Sequence, residues 1–490
     1  MATLLDLLER SARNFPDLIA VRSPQEASSL TWTELREKSL HAAAGLRAEG
    51  VRPGDRVGML FSNVLAFPVA FFAALYAGAV VVPVNARLTP SEVQAILDHA
   101  EAGTVIASEE MRQGAGASRR VFTLADLERE PAREVSGLPS AADDAEILYT
   151  SGTTGNPKGV VMTHGAVVET AAMAAYEFGM RPRERVAVLM PLTHSAPLNL
   201  FLLGAVYTGS TVVIGTFNPR DPAGMLDVLA KERAQYLFAA PVAYLLGLRA
   251  DPSRYDLSAM KRWVYGGAPM SAQQVQAVRQ AYGGSWMSVY GLTESGPNGM
   301  ALADEDHDGH EGSLGWHPTV NTEIRLLDDK GQEVSLGTPG ELVMRTQSAM
   351  RCYLKNPEAT GQVLRDGWIH TGDMAVRDAH GYYWMLDRKK DLILSGGYNV
   401  YPREVEEAIG QHPAVTDVAV VAAPHPEWGE TVAAVVVLKE GLSLTLEELR
   451  AHLDPILARQ KHPRRLEIAT ALPRNATGKL LRHELRQRFS

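Results

Sequence analysis

Short runs of β-branched and apolar residues recur between helical patterns through much of the chain: RVGMLF (56–61), AVVVPV (79–84), EILYTS (146–151), RVAVLM (185–190), STVVIG (210–215) and YLFAAP (236–241). Strands alternating with helices mark parallel layers, so an α/β fold is expected. From about Ser313 the rhythm changes. GTPGELVMR and DAHGYYWMLD are strands with Gly/Pro turns and little helix between them, which predicts a β-rich subdomain closing near Asp387. The tail reads as helix PREVEEAIGQH, strands TDVAVVAAP and TVAAVVVL, helix LTLEELRAHLDPIL, strand RLEIAT and a basic terminal helix, a small α+β unit. DRKKD, with no bulky apolar residue before Leu392, is the expected connector. The division predicted is a large N-terminal domain (1–386) with parallel α/β sheets and a β-rich subdomain, a hinge (387–391) and a small mobile α+β domain (392–490).

Composition narrows the functional classes. With 490 residues, 46% hydrophobic and 21% charged, the chain reads as globular, and at roughly 100–200 residues per domain it holds two to four domains. Cys352 is the sole cysteine, so there is no internal disulfide and no cysteine-based zinc site. The N-terminal MATLLDLLERSARNFPDLIA reads as an amphipathic helix rather than a signal peptide, and the apolar stretch 65–84 is broken by Pro68 and Gly78, so no transmembrane segment is expected. A cytoplasmic location follows. A net charge of −9 argues against nucleic acid as the main partner. Residues 458–490 nevertheless hold nine Lys/Arg against two Glu, either a dock for a polyanion or a solvated basic run. Asp304, Asp306, Asp308 and Gly309 open like a calcium loop, but Gly315 stands where Glu is needed; His307 and His310 there are expected in a solvated acidic loop.

The segment YTSGTTGNPKGVVMTH (149–164) runs from a strand into a loop with Ser151, Thr153, Thr154, Lys158 and the glycines Gly152, Gly155 and Gly159. Glycines let backbone N–H groups turn toward an anion, hydroxyls add hydrogen bonds, and a lysine adds charge, so this loop suits phosphates. It is not a Walker A loop, because Pro157 occupies the position of the second glycine. Downstream, in order, come PLTHS (191–195), YGGAP (265–269), YGLTE (290–294), TGD (371–373), DRKKDLILSGGYNVYPREVE (387–406) and PRNATGK (473–479).

With these motifs the sequence resembles, over nearly its whole length, the acyl-adenylate-forming superfamily: acyl- and aryl-CoA synthetases, peptide-synthetase adenylation domains and firefly luciferase. The resemblance implies an AMP-binding N-terminal domain, a mobile C-terminal domain and an active site between them. It implies that Thr150, Ser151, Gly152, Thr153, Thr154 and Lys158 hold ATP phosphates, and that Glu294 with Thr153 binds Mg²⁺, since a carboxylate beside a triphosphate requires a cation. Tyr290 would stack on adenine opposite Gly266, Gly267, Ala268 and Pro269, with Gly291 and Thr293 nearby. Asp373 and Arg388 would bind the ribose, an acceptor-only carboxylate beside a donor-only guanidinium. Lys479 would bridge acid and α-phosphate during adenylation, favouring the transition state. Lys390 would be the hinge about which the small domain turns between half-reactions.

For CoA, the resemblance points to Gly396 and Gly397 beside the pantetheine, Trp428 against adenine and Arg464 on a phosphate, although His462 sits where some relatives carry Arg. A hairpin turn and a packing tryptophan are the structural alternatives. His194 corresponds to a gatekeeper beside the acyl carboxylate, in a gating rather than an acid/base role. With Ser195, Ala196, Val289, Gly291, Gly296 and Pro297 it outlines an acyl pocket without Arg or Lys. The expected activity is an acid:CoA ligase, with Mg²⁺ as cofactor and ATP and CoA as co-substrates. A medium- or long-chain fatty acid is preferred, an aryl acid of benzoate or cinnamate type is the alternative, and transfer to a carrier protein is a third reading. A nonhydrolysing AMP sensor is disfavoured by the intact Lys158, Glu294 and Lys479. Peripheral membrane contact and a homodimer stay open.

Overall fold

The six runs all form strands in the computed structural model, which describes residues 2–116, 118–128, 137–150, 157–474 and 480–489. They divide between two sheets. Arg56–Phe61, Val80–Asn85 and Asp144–Thr150 lie in a seven-stranded sheet, parallel to one another, whose far edge adds the antiparallel strands Lys158–Thr163 and Cys352–Tyr353. Arg185–Val188, Thr211–Ile214 and Tyr236–Ala239 lie in a nine-stranded sheet that continues through Arg262–Gly266 and Trp286–Gly291 in parallel.

Helices fill the space between these sheets. Ala66–Tyr76 is buried from Phe67 onward, an all-round apolar helix that only a covered position can stabilise. A single core joins Val57, Val81 and Leu148 of one sheet to Val186, Val212 and Val264 of the other, through Phe71, Val167 and Phe201. Phe201 belongs to a π-helical segment, Ala196–Leu202, and packs 5.1 Å from Phe178 and 5.5 Å from Phe238. The first helix, Leu4–Asn14, starts at a Thr3–Asp6 capping box and buries Leu4, Leu5, Leu7 and Leu8, as its amphipathic sequence predicts. No helix among the described residues is long and apolar enough to cross a membrane.

The β-rich region forms a sheet of Thr322–Leu327, Gly340–Thr346, Trp368–Arg377 and Leu364–Arg365, with Tyr383–Arg388 paired to Trp368–Arg377. A 3₁₀ turn, Lys389–Asp391, leads from it to Ile393–Ser395, the first strand of the small C-terminal sheet. In that domain Val415–His425 and Gly429–Leu438 form a long hairpin, with helices Pro402–Gly410 and Leu446–Leu453 packed into its core. The fold is thus mixed α/β, a large N-terminal domain with parallel sheets followed by a small C-terminal domain.

Candidate active site

Antiparallel pairing places Asp373 of Trp368–Arg377 directly opposite Arg388 of Tyr383–Arg388. Arg388 Nε lies 3.0 Å from Asp373 Oδ1, while Tyr290, near the end of Trp286–Gly291, donates its hydroxyl to Asp373 Oδ2 at 2.6 Å. Three sheet strands therefore deliver one cluster. Asp373 is 3% exposed. Burial opposes the Arg388 charge, but Asp373 together with Tyr290, Glu294 and Asp391 outweighs it and the guanidinium is held above its ordinary range. Burial, reinforced by Asp373, pushes the Tyr290 phenol well up, so it remains a donor. An ionised carboxylate has about four lone-pair sites, so both oxygens of Asp373 can still accept further hydroxyls. Beside this cluster, Gly267 takes φ +77° with open space where a Cβ would stand, whereas a Cβ on Gly266 would come within 2.5 Å of the Val289 carbonyl.

After Tyr290 the chain turns through the 3₁₀ segment Thr293–Ser295. Thr293 and Ser195 hydroxyls lie 3.1 Å apart, which joins the candidate nucleotide residues to the candidate acyl pocket. Glu294 Oε1 accepts from the Tyr353 hydroxyl at 2.6 Å, and the Lys158 ammonium stands 4.9 Å from the centre of the same ring. One phenol thus separates a carboxylate from an ammonium that would otherwise attract each other. The sequence reading missed Tyr353; its place in MRCYL gives no signal until the edge strand Cys352–Tyr353 pairs with Lys158–Thr163. Thr150 and Lys158 are register partners at the end of their strand pair where the chain passes from one strand to the other. Ser151, Gly152, Thr153, Thr154 and Lys479 lie outside the described residues. Glu294 and Thr153 are oxygen donors of the kind Mg²⁺ takes, and no ion pair among the described residues occupies Glu294, so the donor set fits that ion.

His194 lies just before the π-helical segment's Ala196 start, with only Ser195 between them, and its Nε2 is buried without a partner among the described residues. Burial, with Arg87 a smaller contributor, pushes its imidazole down to about 4. A neutral ring at physiological pH suits gating. Ser195 and Pro297 are buried, and Val289 and Ala196 are partly so. The two pocket glycines are fixed by packing. A Cβ on Gly291 would come within 2.1 Å of the Pro297 carbonyl, and one on Gly296 within 2.5 Å of Thr170 Oγ1. Both are small because protein packs against them, not because they open room.

In the C-terminal domain, Gly396 and Gly397 form a two-residue hairpin turn with φ +59° and +84°, the conformation that turn demands. Gly396 faces the Trp428 ring, which carries the Arg464 guanidinium 4.0 Å from its centre and the His425 ring stacked at 4.4 Å. Gly396, Trp428 and Arg464 are therefore brought together, on the surface. His462 is buried with Nε2 2.9 Å from the Leu457 carbonyl, a structural role rather than a nucleotide contact. Around the Lys389–Asp391 turn, Asp391 pairs with Arg486 at 2.5 Å, and Asp387 accepts from the backbone N–H of Arg403 at 3.0 Å. Lys390 between them is exposed on the 3₁₀ turn.

Two sequence expectations change. Most of the basic tail is matched by carboxylates rather than left free: Arg459, Lys461, Arg474, Arg482, Arg486 and Arg488 each pair with one, whereas Arg464 is exposed and lies over the Trp428 ring. His307 is not solvated either. It is buried against the Tyr265 hydroxyl and the Ala303 carbonyl, because Arg279 pairs with Asp304 and Asp308 and draws the loop inward.

Comparison with known proteins agrees with this geometry. Residues 8–354 match the AMP-binding enzyme family and residues 404–479 the AMP-binding enzyme C-terminal domain. The chain is 37% identical to a feruloyl-CoA synthase of Amycolatopsis sp, with 98% of each chain covered. It is 33% identical to the long-chain-fatty-acid–CoA ligase FadD13 of Mycobacterium tuberculosis, over 99% of this chain and 98% of that one. Among solved structures it is similar to the anthranilate CoA ligase AuaEII in complex with anthranoyl-AMP, at a TM-score of 0.91 and 27% identity, covering 100% of this chain and 97% of that one. The chain belongs to the AMP-binding enzyme family and is an AMP-forming acid:CoA ligase of the acyl-CoA synthetase type.

Proposed function

We propose that the protein activates a compact aryl acid of benzoate or cinnamate type, forming its acyl-adenylate and then its CoA thioester. The observation that carries the aryl reading is at Gly291 and Gly296, where the Pro297 carbonyl and Thr170 Oγ1 stand in the way of any Cβ, so neither glycine adds room for a longer chain. Similarity over the full length to a feruloyl-CoA synthase supports the same substrate class. A medium- or long-chain fatty acid is the second reading, favoured by the comparable coverage of fatty-acid ligases.

In adenylation, a carboxylate oxygen of the acid bonds to the α-phosphorus while the bond to the bridging oxygen of pyrophosphate breaks. Asp373 holds the ribose hydroxyls, oriented by Tyr290 and Arg388, and Lys158 meets the phosphates. Mg²⁺, when bound through Glu294 and Thr153, neutralises triphosphate charge. Neutral His194 closes over the acyl carboxylate without taking a proton, since the acid arrives ionised. Lys479 stabilises the charge that builds between carboxylate and phosphate. Rotation at Lys390 then brings Gly396, Trp428 and Arg464 with CoA to the adenylate, where the thiolate attacks the acyl carbon and AMP leaves. The exposed Trp428–Arg464 pair supports free CoA over a carrier protein, because it offers a flat ring and a cation to a nucleotide.

The test is pyrophosphate release from Mg·ATP across straight-chain and aryl acids, with and without CoA, following the thioester product. A CoA-dependent signal confined to aryl acids is expected. A signal that rises with alkyl chain length replaces this substrate class with fatty acids.

A further inference from the structure

Glu146 lies inside the seven-stranded sheet, on the strand Asp144–Thr150, which residue 151 follows in the chain. It is 0% exposed. The neighbouring strands place Val81 and Met162 beside it, and from the middle layer Asn199 of the π-helical segment donates Nδ2–H to Glu146 Oε1 at 2.7 Å. Of the charged and titratable groups on these elements, Asp144, Tyr149, Lys158 and His164, none acts on it; burial and Asn199 are its only influences, and burial raises its acid to about 7. The other oxygens of the pair, Glu146 Oε2 and Asn199 Oδ1, are both buried and without a partner among the described residues.

These orphans match. An ionised carboxylate here would face the interior with one neutral hydrogen bond, which strongly disfavours the charge, and the amide carbonyl would still lack a donor. A proton on Oε2 removes the charge and supplies that donor. We propose that Glu146 is a neutral carboxylic acid donating through Oε2 to Asn199 Oδ1, and that this acid–amide pair positions residues 194–202 against the strand Asp144–Thr150. Residue 194 is tied to this segment directly, because the Leu198 N–H donates to the His194 carbonyl at 3.2 Å, one residue before Asn199. The pair is thus a positioning device linking the acyl pocket to the strand that residue 151 follows in the chain, and its effect on the acid rests on the pocket assignment made above.

Infrared difference spectroscopy of the full-length protein tests the proton directly. A carboxylic-acid carbonyl band at pH 6 that titrates away at alkaline pH and is absent from Glu146→Gln is expected; a wild type without that band overturns the proposal whatever the substrate proves to be. Glu146→Gln keeps a two-bond amide–amide pair, so its KM for the acid at pH 7 should stay within about twofold of wild type. Asn199→Leu leaves a buried acid unpaired and should raise the acid KM about tenfold while the ATP KM moves less than twofold. A Glu146→Gln protein that folds but loses activity shows that a charge is required and overturns the pair. If Asn199→Leu fails to fold, the band and the Glu146→Gln kinetics decide. A normal band in an enzyme that adenylates no acid would instead count against the pocket reading alone.

Discussion

The proposed nucleotide and CoA clusters both set an arginine beside an aromatic side chain, yet their environments differ. Around Asp373, 3% exposed, the Arg388 and Tyr290 contacts are 3.0 and 2.6 Å and come from three sheet strands. Around Trp428, 36% exposed in the turn after Val415–His425, the His425 ring at that strand's end and the exposed Arg464 stack on it at the surface. Buried charge-assisted bonds preorganise a site and are costly to break, whereas exposed stacking is weak and easily rearranged. That contrast suits the functions proposed: ribose is gripped in one geometry, while a domain that must rotate engages its ligand through contacts that form and release.

The largest effect should follow from breaking the buried cluster. Asp373→Asn leaves Arg388 without its anion, a loss of roughly 3 kcal/mol or more for a buried pair, so kcat/KM for ATP should fall about 100-fold in pyrophosphate-release assays. A loss under threefold would erase the contrast.

The buried site should also show in stability against pH. His194 titrates near 4 when folded and near 6.5 when unfolded, so the unfolded chain takes up the proton first. Stability is therefore full above pH 6.5 and falls by roughly 3 kcal/mol as the pH drops through about 4. Glu146 has the opposite sign, its contribution present below its unfolded value of 4.5 and lost as pH rises through about 7. Urea unfolding of His194→Gln against wild type at pH 4.5 and 7 should isolate the histidine slope; parallel curves would place that ring in water.

A smaller effect is expected between the extremes. Tyr353→Phe keeps the ring beside Lys158 but frees Glu294, and losing a hydrogen bond to a charged group should raise the Mg²⁺ concentration for half-maximal ATP binding about tenfold. Calorimetric titration of ATP with and without Mg²⁺ reads this, and an unchanged Mg²⁺ dependence would remove Tyr353 from the site. The smallest effect belongs to the surface. Arg464→Ala should raise the CoA KM only about threefold and leave the ATP KM alone, as an exposed cation–π contact predicts. A hundredfold change there would mean that the two clusters are equally preorganised.

Much of this molecule was legible in its sequence. The six runs form strands because β-branched apolar residues bounded by turns have few other ways to be buried. Tyr290, Asp373 and Arg388 were singled out by their motifs and do meet. Tyr353, Glu146 and Asn199 were not, because each acts through a partner far along the chain: Glu294 lies 59 residues from Tyr353, and Asn199 53 residues from Glu146. Nothing local distinguishes a strand glutamate that will be solvated from one that will be enclosed.

Local chemistry determined the alternation of strand and helix, the Gly-rich loop and the residue types able to hold phosphate, ribose and CoA. Only the tertiary structure decided what those residues face. It packed protein against Gly291 and Gly296, matched most of a basic tail with carboxylates, and buried an acid opposite an amide. Charge and burial depend on every neighbour in three dimensions, whereas backbone propensity depends on a few neighbours along the chain.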